Sequence, residues 1–328
     1  MIGVFKKKNP GNVLMLFIIG ALLKIPVFLS AEKIIANDND GILYQKLVKF
    51  LEPLGNAFPV AYALIAYLII ILEAIILSQF INANRLMKRS NFLAGLAFVL
   101  ITSFLPEFNY LSSQLIASLF FLLIFIQMFK SHNQQLTTGG IYNSGLTLGI
   151  AVLLFFPSLF FLLWMFIALV LFRPFQLKEW VLMIMGLLTP YYFLASYFFL
   201  TDHSLLTLLP QLSVGFNKEA PSIWLAGTFF LVLTPLLTGF YYSQSLSNRM
   251  LIHARKAWTM FLIFILVSII IVFFNPTAGY ENWIMVLLPV AAFHGFGYLN
   301  SEVNIYPKIS FWLSVAFIIF SQVYMNIH

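Results

Sequence analysis

Residues 141–172 read IYNSGLTLGIAVLLFFPSLFFLLWMFIALVLF. As a single helix this run would extend about 48 Å at 1.5 Å per residue. A bilayer's hydrocarbon core is only about 30 Å thick. The run also contains FFPSLFF, with Pro157 at its middle. Proline removes a backbone donor and clashes with the preceding turn, and it steers the residue before it away from the α region. The run therefore reads as two short spans, about 141–156 and 158–172, joined by a tight turn at Pro157.

The membrane setting follows from composition. Of 328 residues, 61% are hydrophobic and 9% are charged. A soluble domain carries about 25% charged residues. This chain lacks the polar surface to coat a soluble globule of its size and reads as an all-α, polytopic transmembrane bundle. Apolar runs lie at about 12–30, 59–81, 92–106, 109–129, 141–156, 158–172, 179–200, 222–243, 257–274, 282–299 and 309–326, which predicts about eleven spans. The first run has the basic start and FLSA ending of a cleaved signal, but Lys24 and Pro26 interrupt it, and it reads as a retained span.

Charge sets the expected orientation. With the N-terminus inside and the turn at Pro157, Lys6–Lys8, Arg85, Lys88, Arg89, Lys130, Arg173, Lys178, Arg249, Arg255, Lys256 and Lys308 fall on the cytoplasmic side. Only Lys33, Lys46, Lys49 and Lys218 fall outside, and Lys24 lies within the first span. An unbroken 141–172 would move SNRMLIHARKA outside with three basic residues, against the positive-inside rule. The expected location is a bacterial inner membrane, with a cytoplasmic N-terminus and a periplasmic C-terminus. The net charge of +7 is spread over short loops, so no nucleic-acid partner is expected. Cysteine is absent, which excludes a disulfide framework and thiolate chemistry.

In this topology AEKIIANDNDGILYQKLVKFLEPLGNAFP (31–59) opens on the outer face. Leu43, Leu47, Phe50, Leu51 and Leu54 recur at helical spacing, opposite Gln45, Lys46, Lys49 and Glu52. Such a helix lies flat in the interface, apolar side toward lipid. Pro53 and Gly55 are expected to end it. Asp38 and Asp40 stand just before it. Glu107, in TSFLPEFNYLSSQL, is the one charge of the next outer turn. Carboxylates so placed can do acid–base work on a lipid-linked substrate or hold a divalent cation. NDND is equally an ordinary solvated turn sequence.

The order of these parts resembles the GT-C superfamily of polyprenyl-phosphate-dependent glycosyltransferases over roughly residues 12–200. One span leads to an acidic outer loop with a flat helix, NDNDGILYQKLVKFLEPL. A span pair closes on LPEFNY. A long helix, SSQLIASLFFLLIFIQMFKSHNQQ, then runs to a basic turn, and a glycine-bearing span bends and returns. The whole chain also resembles a family of multispan proteins from Bacteroidota without an assigned activity. The GT-C resemblance implies a module over 1–200, followed by further membrane helices over 201–328. It implies a polyprenyl-linked sugar donor, with Asp38 or Asp40, and Glu107, as base or metal ligand. A divalent cation is compatible with this. The few outer basic residues keep a second class open, a non-catalytic subunit or scaffold of an envelope complex with a membrane-protein partner.

Other polar residues are expected to be structural or to serve coupling. Glu73, in LIIILEAIILSQF, is the one carboxylate deep in a span. It is a candidate for proton or ion coupling, and a transporter is the third reading. Lys24 is its candidate partner, although the two differ in depth by roughly 12 Å. The five histidines, His132, His203, His253, His294 and His328, fall on different sides and cannot converge on one metal. His294 reads as a helix-packing contact. Asp202, His203 and Lys218 are polar candidates in the outer loop 201–221. Arg173 reads as a topology determinant and the six tryptophans as an interfacial belt.

Overall fold

The computed structural model describes residues 2–7, 9, 11–29, 34, 40–130, 138–202, 223–274, 279–301, 303 and 305–325. Among them there is no strand. The helices are α1 (Ile2–Phe5), α2 (Gly11–Leu23), α3 (Ile25–Leu29), α4 (Ile42–Ala57), α5 (Val60–Ala83), α6 (Leu93–Ile101), α7 (Ser113–Lys130), α8 (Thr138–Leu154), α9 (Phe161–Phe172), α10 (Leu177–Leu200), α11 (Ile223–Ser245), α12 (Ile252–Phe273), α13 (Ile284–Asn300) and α14 (Tyr306–Met325). Six segments are long and apolar enough to cross a membrane: α5, α7, α10, α11, α12 and Tyr280–Asn300. Their apolar residues run all round the helix, the pattern of helices that meet lipid or protein on every side.

The other five predicted runs form shorter helices. Gly11–Leu23, Thr138–Leu154, Phe156–Phe172 and Tyr306–Ser321 are apolar but brief. The run 92–106 shrinks to α6, nine residues that are buried throughout, about 14 Å of helix. It ends at Thr102 and Ser103, whose hydroxyls donate back to the Val99 carbonyl at 3.1 and 2.8 Å, before Pro106 opens a separate 3-10 turn.

The break at Pro157 has the expected effect. Phe155 is extended, and Phe156–Phe160 forms a 3-10 turn before α9 begins. A Cβ on Gly145 would lie 2.1 Å from the Met183 carbonyl oxygen, and one on Gly149 2.5 Å from that of Leu187. Paired positions thus advance together along α8 and α10, so these helices run parallel. The intervening α9 returns in the opposite direction, packed on α12 and α7. Only glycine permits backbones this close, the usual basis of helix association where lipid removes the hydrophobic drive.

The bundle has two chemically distinct ends. At one end Phe92 N–H donates to Phe5 O at 2.9 Å. His253 Nε2 lies 3.0 Å from Asn84 O, Trp258 Nε1 donates to Leu86 O and Lys256 Nζ to Leu171 O. These bonds gather the loops that carry Lys6, Lys7, Arg85, Lys88, Arg89, Arg173, Arg255 and Lys256. At the opposite end lie Asp40, the start of α5, the Pro106–Asn109 turn, the start of α7, the end of α8 and the Tyr280–Trp283 turn. An aromatic core joins the two, with Phe121 stacked on Phe161 at 4.1 Å and Phe125 on Phe261 at 4.3 Å. Trp164 belongs to this core rather than to a belt. It is buried, and its Nε1 donates to Met260 O at 3.1 Å.

The flat helix is longer than its sequence suggests. Pro53 and Gly55 lie inside α4 instead of ending it. Pro53 and Lys49 are both exposed, so the Lys49 carbonyl that loses its backbone donor can be solvated. Gly55 is buried against the Tyr62 ring. The helix has three faces. Tyr44 and Gly55 are buried against protein, Leu43, Phe50 and Leu54 form an exposed apolar stripe, and Lys46, Lys49 and Glu52 form the polar side.

Candidate functional site

Asp40 is the best-defined acid of the loop end. It is 7% exposed, and its Oδ1 accepts from Ser113 Oγ at 2.6 Å. Ser113 opens α7, so the carboxylate stands at a helix N-terminus, where unpaired N–H groups and the helix dipole favour negative charge. The next residue fixes the loop from the other side, as Gly41 N–H donates to Leu154 O at 3.0 Å. A Cβ on Gly41 would lie 2.1 Å from the Leu153 carbonyl oxygen. Glycine is therefore required at position 41 for close approach of two backbones at the end of α8, just before the bend at Pro157.

A polar network continues from this point. Gln114 Nε2 donates to Asn282 Oδ1 at 3.0 Å, tying α7 to the Tyr280–Trp283 turn. Tyr44 OH donates to Leu111 O at 2.7 Å, tying α4 to the approach of α7. Burial first, and then the negative charges of Asp40 and Glu281, push the Tyr44 phenol well above its ordinary range. Glu281 is thus part of this neighbourhood. The Pro106–Asn109 turn, with half-buried Glu107, packs on the Tyr280–Trp283 turn.

Lys24 completes the same end. It is 1% exposed, and its Nζ donates to Thr102 O at 3.3 Å, to Thr102 Oγ1 at 3.2 Å and to Asn109 Oδ1. The predicted pairing of Lys24 with Glu73 gives way to this arrangement. Its acceptors lie on Thr102, at the end of α6, and on Asn109, in the turn that carries Glu107. Glu73 instead meets Ser118 Oγ at 2.5 Å.

Asp40 and Glu107 stand at the same end of the bundle. Asp38 lies outside the described residues, as do His132, His203, Lys218, His328 and Lys33. Among the described residues no three of Asp, Glu and His come together as metal ligands. The described residues alone thus supply no ligand set for a divalent ion. Asp202 adopts φ 55 just beyond α10, the left-handed conformation that terminates helices. His294 is buried, with Nε2 2.8 Å from Val232 O on α11, the packing contact expected of it. Arg173 does more than set topology, forming an ion pair with Glu179. Tyr44, Ser113, Gln114, Glu281 and Asn282 were not singled out by sequence. Their signal was polar residues, SSQ and YEN, at the mouths of apolar runs.

Fold and site define a multi-pass helical membrane protein with a polar, acid-bearing network at one end of its bundle. No protein-family model matches the chain, and no curated protein sequence matches it.

Proposed function

We propose that this is an inner-membrane protein with about eleven membrane-embedded helices, acting on a polyprenyl-phosphate-linked substrate at its periplasmic face. The basic loops would lie in the cytoplasm and the Asp40 end outside, consistent with the positive-inside rule. The GT-C resemblance over roughly residues 12–200 supplies the reaction class. The observation that carries the reading is the attachment of Asp40 to Ser113 beside α4, whose exposed Leu43, Phe50 and Leu54 suit the acyl boundary. On this reading an ordered acid would stand at lipid-headgroup level. In the reaction an acceptor hydroxyl attacks the sugar's anomeric carbon. A new glycosidic C–O bond forms, the bond to phosphate breaks, and the hydroxyl proton passes to a carboxylate. Glu107 and Glu281, on adjoining turns, are the candidates for that base, with Asp40 positioning the α7 end. A base of this kind contributes about 10²- to 10⁴-fold.

A second reading, a non-catalytic scaffold, is favoured by the burial of Asp40 and the clamping of Gly41, which are structural in character. Titration of the full-length protein in lipid nanodiscs with polyprenyl phosphate separates the two. Saturable binding that persists in Glu107→Gln and Glu281→Gln, while sugar transfer to an acceptor falls about 10²- to 10⁴-fold in one of them at unchanged thermal stability, supports the enzyme reading. No binding by the wild type would leave the scaffold in its place.

A further inference from the structure

Glu73 lies about 20 Å from the start of α5 and about 15 Å from its end at 1.5 Å per residue, close to the middle of a membrane-crossing helix. Its side chain is 0% exposed, so neither lipid nor bulk water reaches it. An ionised carboxylate in such a place is very costly unless a cation pairs with it. The ion pair formed among the described residues is Arg173–Glu179, and Lys24 is committed to Thr102 and Asn109.

The surroundings of α5 are otherwise poor in charge. Its neighbours α2, α3 and α6 carry no titratable side chain. Lys130 ends α7, at the basic end of the bundle. Tyr44, Lys46, Lys49 and Glu52 lie on α4, and Glu107 on the Pro106–Asn109 turn, both beyond the opposite end of α5. His253, Arg255 and Lys256 occupy the first turn of α12, which meets α5 through Phe261 and Phe80. Within α5, Tyr67 donates to Phe17 O, and Tyr62 packs on Gly55. The side chain bonded to Glu73 is that of Ser118.

Hydrogen-bond accounting then fixes the proton. Ser118 Oγ lies 2.5 Å from Glu73 Oε1 and 2.8 Å from Leu115 O. A hydroxyl has one hydrogen to give. Were Glu73 a carboxylate, Ser118 could serve only one of these two acceptors. As the neutral acid, Glu73 donates to Ser118 Oγ and Ser118 donates to Leu115 O, so every short contact is a bond. The second oxygen, Oε2, is buried with no hydrogen-bond partner among the described residues. It is open to a water or to an incoming proton carrier. One turn toward the acidic end, on the same face of α7, Gln114 bonds Asn282, and Ser113 beside it bonds Asp40. Polar side chains thus step from the acidic end of the bundle down to Glu73.

We propose that Glu73 and Ser118 form an intramembrane proton-binding site that exchanges its proton with water from the Asp40 end of the bundle. The site does not depend on the group-transfer reading. Infrared spectroscopy of the full-length protein in liposomes at neutral pH tests it. The band of Glu73 is identified by the difference between the wild type and Glu73→Gln, in which the other acids cancel. The expected result is a protonated-carboxyl band that is absent from Glu73→Gln, shifts when the Ser118 bond is removed in Ser118→Ala, and moves on transfer to D2O. Should Glu73→Gln not fold, the shift in Ser118→Ala assigns the band alone. Absence of the band means an ionised Glu73 and overturns the proposal. A band indifferent to D2O means a sealed structural acid, which overturns it equally.

Discussion

Ser113 Oγ donates to the Asp40 carboxylate at 2.6 Å, across 73 residues of chain. The bond fastens the end of the first loop to the head of α7, and Gly41 fastens it to the tail of α8. Three elements remote in sequence thereby meet at one point. The bend at Pro157 allows this, because it ends α8 level with the start of α7.

The clamp predicts a sharp penalty at Gly41. An added methyl would face backbone atoms of Leu153 and Leu154, at 2.1 and 2.7 Å, and backbone cannot rotate aside. Gly41→Ala should cost about 1–3 kcal/mol from overpacking, seen as a lower thermal unfolding midpoint of the full-length protein in detergent. Gly3→Ala, where nothing lies within 4 Å of the new methyl, should be neutral. Equal behaviour of the two would show that the 40–41 segment is not held as described.

The Asp40–Ser113 bond separates charge from hydrogen bonding. Asp40→Asn keeps an oxygen that can accept from Ser113 and loses mainly the attraction to the helix N-terminus, about 0.3–1 kcal/mol. Ser113→Ala removes a hydrogen bond to a charged group and should cost more, about 1.5–3 kcal/mol. The reverse order in denaturation measurements would contradict an ionised, Ser113-bound Asp40.

Periodicity and charge made the helices, the break at Pro157 and the exposed stripe of α4 legible in the sequence. Partners were not legible. Lys24 and Glu73 look like a pair because both are intramembrane charges, yet geometry gives Lys24 to Asn109 and Glu73 to Ser118. Neutral acceptors satisfied the lysine, and sequence cannot say which of many serines and asparagines will do so. Likewise α6 reads as a span by composition. The helix nonetheless ends at Thr102, short of Pro106, which no apolar count detects.

Tyr44 offers a pH test. Its folded value is raised above the ordinary one of about 10, by burial and by Asp40 and Glu281. Above that ordinary value the unfolded phenol ionises while the folded one stays protonated. Its contribution to stability is therefore full below about pH 10 and declines as pH rises further. Tyr44→Phe should lose about 0.5–1.5 kcal/mol at pH 7 with the Leu111 bond. It should also lose less than the wild type between pH 9 and 11, a difference that paired unfolding curves would measure.

Sidedness is tested by reporter fusions. The bonds His253–Asn84 and Lys256–Leu171 put three basic loops at one end. A fusion after Asn248 should report the cytoplasm, and one after Asn217 the periplasm. Opposite locations would invert the proposed orientation and move Asp40 to the inner face.

The last test concerns the buried ammonium. Lys24 is held by Asn109 Oδ1 and by both oxygens of Thr102. Asn109→Leu removes one acceptor while leaving the charge inside and should cost about 1.5–3 kcal/mol. Lys24→Met removes the charge and its desolvation penalty but orphans Asn109, a smaller loss. In the double variant neither charge nor orphaned amide remains, and buried polar networks replaced by apolar groups of similar volume are often close to neutral. The double variant should therefore be more stable than Asn109→Leu alone, with a coupling of about 0.5–3 kcal/mol in the cycle. Strict additivity would mean that the two side chains do not interact, and the anchoring of the Glu107 turn by Lys24 would have to be abandoned.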